Sequence, residues 1–182
     1  MEFQPLDVQL KDGRRVTLRE VCADDAELMQ AALRAMSPES RYSRFMSAMP
    51  ELSPKMLEKA THPDAERELQ LVAVAGEGEQ KKIVGGARYV AAPGSRDCEF
   101  AMMLIDGWQG QGLARQLLET LMRVARSRGF EHMEGYILHS NAAMLGLARR
   151  LGFAHVENSE DPGVQTVRCE LAGIVDDGGA RG

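Results

Sequence analysis

The seven residues Trp108-Gln109-Gly110-Gln111-Gly112-Leu113-Ala114 constrain this chain more than any other stretch. A short apolar run, Phe100 to Ile105, precedes them, and a long segment with helical spacing follows. Two glycines one residue apart, between a strand and a helix, let a backbone approach an anion closely. The helix start adds free N–H groups and the positive end of its dipole. The pattern predicts a diphosphate site, and two familiar versions of such a site are excluded. No Gly-Lys-Ser/Thr follows, as a Walker loop requires, and Arg115 stands where a dinucleotide fingerprint needs a third small residue.

The rest of the chain reads as alternating strands and helices. Val16 to Val21 is a predicted strand, and Asp24 with Glu27 predicts a capped helix over Leu28, Met29, Ala32, Leu33 and Met36. Ser37-Pro38 and Ser53-Pro54 each predict a helix start. Leu69 to Val74, Ile83 to Val90 and Cys98 to Ile105, joined by short polar turns, predict an antiparallel meander. After the glycine loop, Leu113, Leu117, Leu118, Leu121, Met122 and Ala125 keep helical spacing up to a cap at Gly129. Met133 to Leu138 must then run parallel to Cys98 to Ile105, because a helix crosses between them. A helix opened by Asn141 and two strands, His155 to Asn158 and Gln165 to Leu171, complete the order.

A length of 182 residues suits one domain, read as 1–171, with a glycine-rich frayed tail over 172–182. The start lacks a signal-peptide pattern and no apolar run is long enough to span a membrane, which predicts a cytoplasmic protein without membrane contact. Cys22, Cys98 and Cys169 are widely separated, and His62, His132, His139 and His155 show no ligand spacing, so no metal is expected. A net charge of −5 argues against nucleic acid and suits a cationic partner.

The pattern Gln109, Gly112, Ala114, of the form Gln/Arg-x-x-Gly-x-Gly/Ala, resembles the coenzyme A pyrophosphate loop of GCN5-related N-acetyltransferases, the GNAT superfamily. Asn141 to Phe153, Asn-Ala-Ala-Met-Leu-Gly-Leu-Ala-Arg-Arg-Leu-Gly-Phe, resembles the second signature of that family. Ser37 to Phe45, Arg67 to Ala73 and Glu99-Phe100-Ala101 look like the acetyltransferase domain of bacterial Pat-type protein lysine acetyltransferases. The resemblance implies a mixed α/β (α+β) fold: a mostly antiparallel sheet of about six to seven strands flanked by helices. It implies acetyl-CoA as donor and an amine, foremost a protein lysine, as acceptor, in a monomer or homodimer.

By that resemblance Gly110, Gln111, Gly112, Leu113 and Ala114 hold the diphosphate through backbone N–H groups, with the Gln109 side chain assisting. Met102, Met103 and Leu104 take the pantetheine arm as an added strand, one N–H facing the thioester oxygen, and Asn141 supports the arm. Glu99 interrupts an apolar strand, where burial should raise a carboxylate's pKa, and it matches the Pat-like general base. Ala148 stands where many relatives carry an acidic tyrosine, leaving Tyr136, His139 and Ser140 as alternatives. Asp64, Glu66, Glu68, Glu157, Glu160 and Asp161 form acidic clusters suited to attracting a cationic acceptor. Two other functions fit the residues: acetylation of a small amine (a polyamine, amino acid or antibiotic), and a non-catalytic acyl-CoA-binding regulatory module.

Overall fold

The computed structural model describes residues 3–45, 49, 51–156 and 161–173. One eight-stranded sheet, in the order β1-β2-β3-β4-β5-β6-β8-β7, organises them. Its strands are β1 Leu6–Gln9, β2 Arg15–Glu20, β3 Glu68–Ala75, β4 Lys82–Ala91, β5 Asp97–Leu104, β6 His132–Leu138, β7 Ala154–Val156 and β8 Val164–Glu170. Every neighbouring pair is antiparallel except β5 and β6. The helices are α1 Ala26–Ala35, α2 Pro38–Phe45, α3 Pro54–Thr61, α4 Leu113–Ser127 and α5 Ala142–Arg150. The strand beyond the expected set is β1, whose four residues are too short for a period to show. Val8 turns into the core from it. Of the expected strand His155 to Asn158, residues 157–160 lie outside the described set, as does the expected tail from residue 174.

α4 explains the parallel pair. Its Leu113, Leu117, Leu118, Leu121 and Ala125 are fully buried on one face of the sheet, so the chain crosses over β5 before β6 begins. Gly129, at φ 89°, ends the crossing. On the opposite face Ala32 of α1 packs with Val72, Val74 and Ile83. Asp25, not the expected Asp24, stands at the N-cap of α1 without a side-chain cap bond to it; its carboxylate accepts from the Cys22 N–H at 2.8 Å across the 3-10 turn Ala23–Asp25. Asp25 is buried and receives two bonds from the Arg19 guanidinium, at 2.7 and 2.8 Å. Reading outward from the helix pattern could not foresee a partner on β2.

The sheet opens where β5 and β6 part. Their pairing runs only from Asp97↔His132 to Phe100↔Gly135, while β6 stays with β8 as far as Leu138↔Val164. The Phe100 ring lies against Gly135, where a Cβ would collide with it, and meets Phe153 edge-on at 5.2 Å. An aromatic wedge thus sits at the last shared rung, and the strands diverge beyond it.

Candidate active site

The divergence leaves backbone groups of β5 without a strand partner. Ile105 donates to the Val84 carbonyl across β4 at 3.0 Å. Alternation along an antiparallel ladder then turns the N–H and C=O of Met103 toward β4, and those of Met102 and Leu104 toward the opening. The three residues expected to bind the pantetheine arm are therefore divided. Met102 and Leu104 present backbone groups, while Met103 lends the wall.

A cavity of 760 Å³ follows this opening. Its walls include Met102 to Leu104, Gln109, Gly110, Gly112 and Ala114, with Ser140, Asn141, Met144 and Leu147 across from them. Gly110 (φ 74°) and Gly112 (φ 90°) both occupy the left-handed region, so the loop turns as only glycine does without strain. Gly112 is also the residue from which α4 starts. The first N–H groups of α4, from Leu113 to Arg115, face no helical carbonyl, and Gln116 is the first residue to reach one, that of Gly112 at 3.2 Å. Leu113 offers only its backbone, because its side chain is fully buried. Gln111 directs its carbonyl to the Lys11 N–H at 3.1 Å.

Two expected ligands have structural partners. The Gln109 amide donates to the Leu104 carbonyl at 3.4 Å and to Ser40 Oγ at 3.3 Å, so it ties α2 to the loop. The Asn141 side chain accepts from the Met144 N–H at 3.2 Å, capping α5, and still lines the cavity. Lys11, Arg115 and Arg150 add positive charge to the wall. Lys11 arrives from the β1–β2 turn, a tertiary approach with no local sequence signal.

Glu99 projects on the face of β5 that α2 crosses, and its side chain is exposed rather than enclosed by the cavity. Desolvation nevertheless raises its pKa, with Glu134 adding to the rise and Arg88 and Arg44 opposing it. Glu134, its cross-strand neighbour, is held by Arg168, which also reaches Asp97 at 3.0 Å. Arg44 lines the cavity; burial, then Arg88, pushes its pKa down to about 10, so it remains a cation at neutral pH. Ala148 is fully buried and distant from any proton-transfer role. Tyr136 and Ser140 line the cavity, and His139 does not. Burial, then Glu99 and Glu134, raises the Tyr136 pKa, so its hydroxyl keeps its proton.

The acidic clusters do not gather at this cavity. Asp64 pairs with Arg67 at 2.6 Å, and none of Asp64, Glu66, Glu68 and Asp161 lines it. Glu157 and Glu160 lie outside the described residues.

A family model described as "Acetyltransferase (GNAT) domain" matches residues 15–154. The chain belongs to the GNAT acetyltransferase family. It is 33% identical over 152 residues to a Pseudomonas aeruginosa acetyltransferase, covering 84% of this chain and 82% of that one. A 55-residue stretch is 44% identical to the L-methionine sulfoximine/L-methionine sulfone acetyltransferase of the same species, 30% of this chain and 32% of the relative. The crystal structure of the GNAT domain of S. lividans PAT is similar over 93% of this chain and 99% of that domain, with 29% identity and a TM-score of 0.82. As in other GNAT acetyltransferases, acyl-CoA is the donor substrate. The open edge of β5 and the glycine loop suit it, because a Cβ at Gly110 would meet nothing within 4 Å.

Proposed function

We propose that this GNAT acetyltransferase moves an acetyl group from acetyl-CoA to a primary amine, foremost a protein lysine, by direct attack in a ternary complex. The observation that carries this reading is the alignment of the glycine loop and the unpaired edge of β5 along one cavity, with Glu99 on the same strand, exposed outside the lining. Acetyl-CoA supplies the activated acyl group. The loop N–H groups and the α4 dipole bind the diphosphate. The Met102 and Leu104 backbones orient the arm as an added strand, and a fixed N–H there lowers the barrier by about 3 kcal/mol when it meets a developing oxyanion.

A lysine amine has an unperturbed pKa of about 10.4 and arrives protonated. Glu99, directly or through one water, takes its proton, and its raised pKa fits that task. Tyr136, kept protonated, is positioned on the cavity wall to return a proton to the departing thiolate. A reducing cytoplasm suits the free cysteines, of which Cys98 has its thiol pushed up to about 12 by burial.

A second reading, a small amino-acid acceptor, is favoured by the local likeness to the L-methionine sulfoximine/L-methionine sulfone enzyme. One experiment addresses catalysis in either case. Glu99→Gln should keep acetyl-CoA affinity and lower turnover at pH 7 by roughly 10²-fold, the loss shrinking at high pH where free amine is abundant. Turnover close to wild type at pH 7 removes Glu99 from the mechanism. Binding of acetyl-CoA with no turnover on any amine would instead favour the regulatory module.

A further inference from the structure

The acceptor end of the cleft carries more positive charge than its own residues balance. Arg88 on β4 pairs in register with Ala101, which makes it the diagonal neighbour of Glu99 on the same face. Arg44, near the end of α2, lines the cavity, and Arg44, Arg88 and Glu99 act on one another electrostatically. Several other arginines are paired: Arg19 with Asp25, Arg67 with Asp64, Arg128 with Glu20, Arg168 with Asp97 and Glu134. Among the described residues no carboxylate makes a hydrogen bond or ion pair with Arg44 or Arg88. One turn before Arg44, Arg41 holds a buried Nε without a hydrogen-bond partner.

Such an arrangement is costly when empty. A desolvated guanidinium beside another needs a counter-ion, and two planar forks fit a carboxylate well. Glu99 offers one negative charge against two, and loses it on accepting the amine's proton. Glu39 lies at the other end of α2, and Glu134 is held by Arg168. The diphosphate is assigned elsewhere, since Glu99 stands five residues, about 16 Å of strand, before Leu104, and the glycine loop lies beyond that end of β5.

We propose that the acceptor carries a carboxylate close to its reacting amine, and that Arg44 and Arg88 receive it. The inference rests on the acetyl-transfer reading of this cleft. The carboxylate comes either from the acceptor's own α-carboxyl group, in a free amino acid, or from an acidic residue flanking the target lysine of a protein. In both cases the acceptor's carboxylate offsets one of the two guanidinium charges, and it does so before and after the proton passes to Glu99, a transfer that leaves the total charge unchanged.

Two matched pairs of acceptors test this: the peptides Glu-Lys-Glu and Gln-Lys-Gln with blocked ends, and L-methionine sulfone with its carboxamide. Wild type should favour the carboxylate member of one pair by about tenfold in kcat/KM, the scale of a charge-assisted hydrogen bond. The pair that shows the preference identifies the source. Arg44→Gln and Arg88→Gln should each remove most of that preference, lowering kcat/KM for the carboxylate member about tenfold more than for the neutral member, on top of any common change that follows from altering the pKa of Glu99. Arg44→Lys should restore part of the loss. Thermal melting and acetyl-CoA affinity verify that the variants fold. Absence of a preference in both pairs overturns the proposal. So does equal weakening of both members, which would mean that the arginines serve only Glu99. No turnover on any acceptor, with acetyl-CoA still bound, would overturn the underlying acetyl-transfer reading instead.

Discussion

Glu99 is held by the fold in a state the fold does not favour. Its pKa is raised in the native chain, chiefly by desolvation. A raised carboxylate pKa means the native state disfavours the charged form, so this contribution to stability is full at low pH and is lost as pH rises through the native pKa. Glu99→Gln should therefore raise the melting temperature at pH 7 while abolishing most turnover. The gain should vanish at about pH 3, below the unfolded glutamate pKa, where the carboxyl is protonated in both states. Melting curves at the two pH values check this, and a loss of stability at pH 7 would show that Arg44 and Arg88 outweigh desolvation. Gly135 is a second residue with a definite role. Gly135→Ala drives a methyl group into the Phe100 ring, which Phe153 prevents from retreating. Overpacking of that kind costs about 1–3 kcal/mol. Denaturant unfolding measures the loss, and a cost near zero would mean the ring moves freely.

The proposed donor site belongs to the junction of β5 and α4. Substituting Gly112 would confuse two effects, because its φ of 90° strains any side chain. Ala114 lines the cavity from the first turn of α4, where a carboxylate favours the helix through the dipole. Ala114→Glu should keep or raise thermal stability and yet abolish measurable acetyl-CoA binding by calorimetry. Retained affinity would move the diphosphate elsewhere. At this scale the sequence was informative where function and local geometry coincide. A left-handed glycine followed by a helix is a local event, and so is the Asn141 cap, so both were legible. β1 was not, because four residues hold too few periods to register. Nor was the parting of β5 from β6, since it depends on a ring from one strand resting on a glycine of another. The acidic clusters misled for a related reason: charge counted along the chain does not show where the fold carries it. Asp64 turned to Arg67, while the arginines of α2 and β4, unremarkable in sequence, converged on Glu99.

Over the whole molecule, the turn between β1 and β2 reaches back to the loop proposed to bind the donor. Lys11 donates its N–H to Gln111, and Arg14 donates to the Gly107 carbonyl at 2.9 Å. The Arg14 guanidinium also covers the buried Trp108 ring, 3.8 Å from its centre. Arg14→Ala should redden Trp108 emission and weaken acetyl-CoA binding about tenfold, as lost preorganisation does, with kcat at saturating donor little changed. An unaltered Kd would mean the loop holds its shape unaided. These contacts come largely from a hairpin whose first strand precedes residue 15, where the match to the family begins. On that expectation, two chains with the same loop motif would differ in donor affinity through the hairpin that holds Lys11 and Arg14. A tenfold loss in Arg14→Ala would make the N-terminal hairpin a tuning dial for the donor, set outside the stretch that carries the family match.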